Sequence, residues 1–91
     1  MIPYDFHPEA KAEFIEAMVF YESQRVALGN SFAAEVERMI ALIRSQPDVG
    51  APGRLRYRRI PLLGFPNSVV YRHDSQSALI LAVAHHRRQR K

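Results

Sequence analysis

The apolar residues of this 91-residue chain change their period once, across a Pro- and Gly-rich segment, and that switch divides the chain into a helical half and a sheet half. Before it, Ala10, Phe14, Met18 and Tyr21 recur at helical spacing, and Phe32, Val36, Met39, Ile40 and Ile43 form a second stripe of the same period. The segment Gln46 to Arg54, with Pro47, Gly50, Pro52 and Gly53, reads as a loop. Beyond it the residues alternate. Leu55 and Tyr57 lie between Arg54, Arg56 and Arg58, so a strand here places three guanidiniums on one face.

The boundaries follow from local chemistry. Ile2 to Phe6 is short, apolar-rich and stopped by Pro8, which suits an opening strand followed by the first turn of a helix. Glu9, Glu13 and Glu16 load the positive end of that helix and Arg25 lies near the other, as the macrodipole prefers. The helix is predicted to end at Gly29, with Asn30 or Ser31 capping a second helix that Pro47 stops. So short a connection forces an antiparallel helix hairpin. Further strands are predicted over Asn67 to Arg72 and Leu79 to His85, joined by a polar turn from His73 to Ser77. The expected fold is a single α+β domain over residues 1–91: an N-terminal strand, an antiparallel helix hairpin, then a three-stranded antiparallel meander. Phe14, Met18, Phe32, Val36, Ile40, Val69, Ile80 and Val83 are its expected core.

Charge divides along the same line. Residues 1–53 carry four basic side chains against eight acidic ones, net −4, whereas from Arg54 onward nine Arg or Lys face only Asp74, net +8. Such segregation points to an anionic partner. With no Cys, disulfides, thiol chemistry and cysteine-based zinc sites are excluded. The four His show no trusted ligand spacing, so no metal and no cofactor is expected. No apolar run approaches the length of a membrane span and the N-terminus carries no apolar signal region, so a cytoplasmic protein that does not engage membranes is expected.

Arg presents a planar fork of donors that matches phosphate oxygens. Arg56, Arg58, Arg59, Arg72, Arg87 and Arg88 are therefore the candidate target-binding or nucleic-acid-binding residues. Tyr57 and Tyr71 suit either base stacking or a core, and the core is favoured. His85 and His86 sit where the last apolar run meets the basic tail. Cleavage of RNA through its 2′-hydroxyl needs a base and positive charge at the phosphorane, roles that His85 and Arg88 would fill if the protein is a nuclease. Adjacent strand residues face opposite ways, so only one of the two His can serve a given site.

An ordered set of short motifs runs nearly the whole chain: Phe6-His7-Pro8-Glu9-Ala10, Tyr21, Gly29-Asn30-Ser31-Phe32, Pro47, Arg59 ahead of Phe65-Pro66, Val70-Tyr71-Arg72, and Leu81-Ala82-Val83-Ala84-His85 followed by Arg88. In this the chain resembles the RelE/ParE superfamily of type II toxin-antitoxin toxins. The resemblance implies a compact α+β toxin that arrests growth, encoded beside an antitoxin that wraps it in a hetero-oligomer. RelE-like members are ribosome-dependent mRNA endonucleases, whereas ParE-like members are described as inhibitors of DNA gyrase. The ribonucleases commonly hold an Arg three residues before the Tyr of the third strand, where this chain has Ser68, and often a C-terminal Tyr or His, whereas no Tyr follows Tyr71 here. The resemblance therefore implies a ParE-like, non-enzymatic toxin, with ribosome-bound mRNA as the alternative target and a decayed toxin that only binds its antitoxin as the third reading.

Overall fold

The computed structural model describes residues 1–89, with side chains through Arg87. Strand β1 (Tyr4–Phe6) leads into helix α1 (Pro8–Gln24), which packs antiparallel to helix α2 (Leu28–Ser45). The second half builds β2 (Ala51–Pro52), a 3-10 turn (Arg54–Arg56), β3 (Arg58–Pro61), β4 (Asn67–His73) and β5 (Ala78–His85), and closes on a second 3-10 turn (His86–Gln89). The sheet order is β1-β5-β4-β3-β2. Every pairing is antiparallel except β1 with β5, because the helix hairpin returns the chain along the direction of its first strand.

Pro8 opens α1 as expected, and His7 caps it by accepting the Glu9 N–H at Nδ1, 3.1 Å away. The hairpin turn, however, lies at residues 25–27 rather than 29–31. The Glu22 carboxylate accepts the N–H of Ala27 and of Gly29, both at 2.9 Å, and so caps α2 from the neighbouring helix. Ala27 takes a left-handed conformation (φ 72°), and Asn30 and Ser31 fall inside α2. Gly29 is not a stop signal but a contact. A Cβ there would stand 2.6 Å from the carbonyl oxygen of Met18, so glycine permits the close approach of the two helices.

The stripe of α2 is buried in full: Phe32, Val36, Met39, Ile40 and Ile43 meet Val69, Tyr71, Ile80 and Val83 of the sheet. Phe14 and Met18 pack at the margin of this core. Phe6, Phe14, Phe32, Tyr21 and Phe65 form a continuous run of ring contacts with centroids 4.9–6.1 Å apart. Ile80 and Val83 are three residues apart, an odd interval that a regular strand would send to opposite faces. A bulge resolves this: Val70 pairs with Ala82 and Tyr71 with Ile80, leaving Leu81 as the extra residue.

The strand expected across Arg54, Arg56 and Arg58 is replaced by the 3-10 turn, in which Leu55 (φ 57°) and Arg56 (φ 67°) are both left-handed. The row of three guanidiniums on one face does not form. The reason is that the Arg58 guanidinium is held inward, donating from Nη1 to the carbonyls of Gly50 (2.7 Å) and Asp48 (3.0 Å), and the strand starts only there.

Candidate functional site

The predicted site residues fall on three separate surfaces. The first is the sheet face turned away from the helices. Since Val69 and Tyr71 point into the core, the alternating residues Ser68, Val70 and Arg72 point the other way. Register places Arg59 opposite Val70, so Arg59 and Arg72 are diagonal neighbours on this face, a relationship that sets side chains about 7–8 Å apart. Both are exposed. At the other end of the face Ser68 is 1% exposed, and its Oγ lies 2.8 Å from Nε2 of His86, which anchors the imidazole to the sheet. The His86 N–H donates to the Pro66 carbonyl at 2.9 Å and extends the β4–β5 ladder by one residue.

The second surface is a groove of about 510 Å³ between α1 and β5, and this is where His85 lies. Its apolar floor is Ala17, Phe20 and Val83, and Glu13 and Glu16 stand on its rim. Beyond Phe6 and Ile80, β1 no longer covers the edge of β5, and Glu13 Oε1 accepts the Val83 N–H there at 2.9 Å. His85 Nδ1 accepts the Arg87 N–H (3.1 Å), leaving Nε2 to carry the proton of the neutral ring. His85 thus shares its groove with two carboxylates, Glu13 and Glu16, on the opposite side of the sheet from Arg59 and Arg72. The Arg88 side chain lies outside the described residues.

The third surface lies beyond the far edge of the sheet, where Pro52, Arg56, Tyr57, Arg58 and His73 line a hollow of about 200 Å³. Asp48 organises it, with Oδ1 2.9 Å from His73 Nε2 and 3.4 Å from Arg58 Nη2. Behind them Tyr71 is fully buried. Its hydroxyl donates to the Pro47 carbonyl (2.6 Å) and accepts the Gly50 N–H (2.9 Å). Burial pushes the Tyr71 phenol above its ordinary value, against the lowering effects of the Gly50 hydrogen bond and the Arg58 charge. This anchor identifies Tyr71 as a core residue rather than a stacking platform. Nothing in the sequence announced the Asp48, Arg58 and His73 cluster, because its members are 10 and 15 residues apart.

Among the described residues no group of three or more His, Asp or Glu converges as a metal site would, and no helix is long and apolar enough to cross a membrane. Outside the sites, Ile15 and Val19 of α1 and Val26 just beyond it are exposed, so α1 is apolar on a second side that no element among the described residues covers.

Comparison with known proteins adds a family and a fold. Residues 4–90 match the family model described as "ParE toxin of type II toxin-antitoxin system, parDE". The fold is similar to that of a solved structure of a chromosomal ParDE TA system from P. aeruginosa, with a TM-score of 0.65 and 14% identity over 93% of this chain and 96% of that one. No curated protein matches the sequence.

Proposed function

The chain belongs to the ParE toxin family of type II toxin-antitoxin systems, and from that premise we propose that it arrests growth by binding a protein target, DNA gyrase, without itself cleaving nucleic acid. The observation that carries this reading is the separation of His85 from the sheet-face cations Arg59 and Arg72. His85 sits among Glu13 and Glu16 on the helix side, while Arg59 and Arg72 occupy the opposite sheet face. In-line RNA cleavage needs a base and a cation at one phosphate, and a phosphate approaching His85 meets carboxylates. Supercoiling of relaxed plasmid by purified gyrase, assayed with and without this protein, is the direct test. Inhibition with accumulation of cleaved DNA is the expected result; undisturbed supercoiling at excess protein refutes the gyrase reading.

A co-encoded antitoxin fits the apolar side of α1. Ile15 and Val19 are exposed between Glu16 and Glu22, so the matching segment is an apolar stretch with basic flanks. A second, acidic stretch suits Arg59 and Arg72. Toxin and antitoxin then form a hetero-oligomer in the cytoplasm, where both gyrase and ribosomes are found.

One observation favours a second reading, ribosome-dependent cleavage of mRNA. His86, held by Ser68, shares its sheet face with Arg59 and Arg72 and leaves Nδ1 available as a base when Nε2–H donates to the Ser68 hydroxyl. Primer extension on ribosome-bound message decides it. Codon-phased cuts lost in His86→Ala but kept in His85→Ala would replace the gyrase reading with this one.

A further inference from the structure

The 3-10 turn at Arg54–Arg56 holds a conformation that its own side chains do not reward. Leu55 and Arg56 are consecutive non-glycine residues with positive φ, each an unfavourable state for a bulky L-residue, and none of the three residues of the turn is buried. A single exposed leucine is ordinary. A leucine 77% exposed at the tip of a strained turn is not, because the strain gains no packing in return. The scaffold beneath nevertheless enforces it. The Gly53 N–H donates to the Tyr57 carbonyl (2.8 Å) and the Tyr57 N–H to the Arg54 carbonyl (2.9 Å). Arg58 ties the following strand to Asp48 and Gly50, and the His73 ring stacks on the buried Tyr71 with centroids 6.3 Å apart. The apolar tip is therefore pre-organised and pointed at solvent.

Beside the tip lies the hollow lined by Arg56, Tyr57, Arg58 and His73. At about 200 Å³ it is below the roughly 300–1,000 Å³ of small-molecule sites and suits one side chain. Its lining is cationic. Arg56 and Arg58 outweigh Asp48, and Arg54 and Arg59 flank it in sequence.

We infer that this turn is the knob by which the toxin grips its protein target: Leu55 enters an apolar cup on the target, and a neighbouring Asp or Glu of the target enters the hollow between Arg56 and Arg58. The apolar tip favours a protein over a nucleic acid, whose backbone would use the arginines but not the leucine. The location separates the knob from the α1 part of the antitoxin surface proposed above, since α1 packs on β5 and β1 whereas this turn adjoins β2 and β3 at the other edge of the sheet. The inference rests on the toxin reading.

The test expresses the full-length protein as wild type, Leu55→Gly, Leu55→Asp and Arg56→Glu. It measures growth arrest on induction, co-purification with the co-encoded antitoxin and thermal unfolding. Leu55→Gly separates function from stability, because glycine accepts the positive φ without strain. The expected result is a Leu55→Gly protein that melts no lower than wild type and still captures antitoxin, yet needs at least tenfold more protein for the same arrest, with Leu55→Asp and Arg56→Glu weaker still. Undiminished toxicity of Leu55→Gly overturns the inference. So does loss of antitoxin capture with toxicity retained, which would make the knob part of the antitoxin interface. Fluorescence anisotropy with a single-stranded RNA oligonucleotide supplies the third arm: RNA binding abolished by Arg56→Glu and untouched by Leu55→Gly would assign the hollow to phosphate and also overturn it. A wild-type protein that is folded and harmless removes the toxin reading itself, an outcome distinct from the others.

Discussion

Glu22 and Tyr71 show how much of this fold hangs on single polar contacts between distant segments. One carboxylate satisfies two of the orphan N–H groups at the start of α2, a task for which α2 has no cap side chain of its own. Glu22→Ala is expected to destabilise the protein by about 0.5–2 kcal/mol, the range for losing a cap, read as a lower midpoint in urea unfolding. Tyr71 has the opposite setting, a hydroxyl buried between the Pro47 carbonyl and the Gly50 N–H. A Cβ on residue 50 would sit 2.8 Å from that hydroxyl, which leaves room there for glycine alone. Because burial raises the phenol pKa in the folded state, the neutral form is the one the fold favours. The contribution is complete below about pH 10, the ordinary tyrosine value, and is lost as pH rises through the higher folded value. Stability is accordingly expected to fall on the alkaline side. In Tyr71→Phe, less stable throughout, the part of that fall due to residue 71 should disappear from a pH series of thermal melts.

The two helices divide their duties in a way that their sequences foreshadow. Helix α2 has one apolar face and buries it, so Ile40→Ala, at a position 3% exposed, is expected to lose roughly 2–5 kcal/mol. A melting temperature within a degree or two of wild type would contradict the assigned packing. Helix α1 has apolar residues on two sides and only one core to meet. Val19, 66% exposed, is therefore a residue whose replacement separates stability from partnership. Val19→Asp is expected to change unfolding by no more than about 0.5 kcal/mol, as for ordinary surface positions. It is also expected to weaken antitoxin capture at least tenfold, because a carboxylate would be placed in an apolar contact already bordered by Glu16 and Glu22. The β5 bulge works at the same scale. By adding Leu81 to the ladder it keeps both Ile80 and Val83 on the core side, so one strand supplies apolar groups on each side of an irregularity.

For the molecule as a whole, part of the division of charge along the chain becomes a division in space. The acids of α1 lie by β1 and β5, and the exposed arginines of β3, β4 and the Leu55 turn lie toward the other edge. A partner that covers α1 reaches the exposed Arg59 and Arg72 only by passing round to the other sheet face, which is why the antitoxin is expected to be extended rather than compact. Binding that selects the folded toxin stabilises it by mass action, by about 2.7 kcal/mol at a free antitoxin concentration 100 times the Kd. For a domain of this size that is a rise of roughly 10–20 °C in melting temperature. Differential scanning of the toxin with increasing antitoxin checks it; an unmoved transition would exclude tight, selective binding.

The change of hydrophobic period determined the α+β class, the helix pair, β4, β5 and most of the core, because burial periodicity is a local property that a sequence displays directly; β2, inside the segment that reads as a loop, was not displayed. The identity of Phe32, Val36, Ile40, Val69, Ile80 and Val83 as interior residues was legible for that reason. The boundary between the helices was not. Gly29 and Asn30-Ser31 carry the local signals of a stop and a cap, and a carboxylate five or seven residues earlier overrode them. The arginine row failed likewise, since alternation at Arg54, Arg56 and Arg58 describes a strand only when no tertiary acceptor competes, and the Asp48 and Gly50 carbonyls did. Which face His85 and His86 occupy, and which arginines they meet, was decided only by strand pairing. Register is set between segments far apart in the chain, and a one-residue shift exchanges every side chain between the groove and the open sheet.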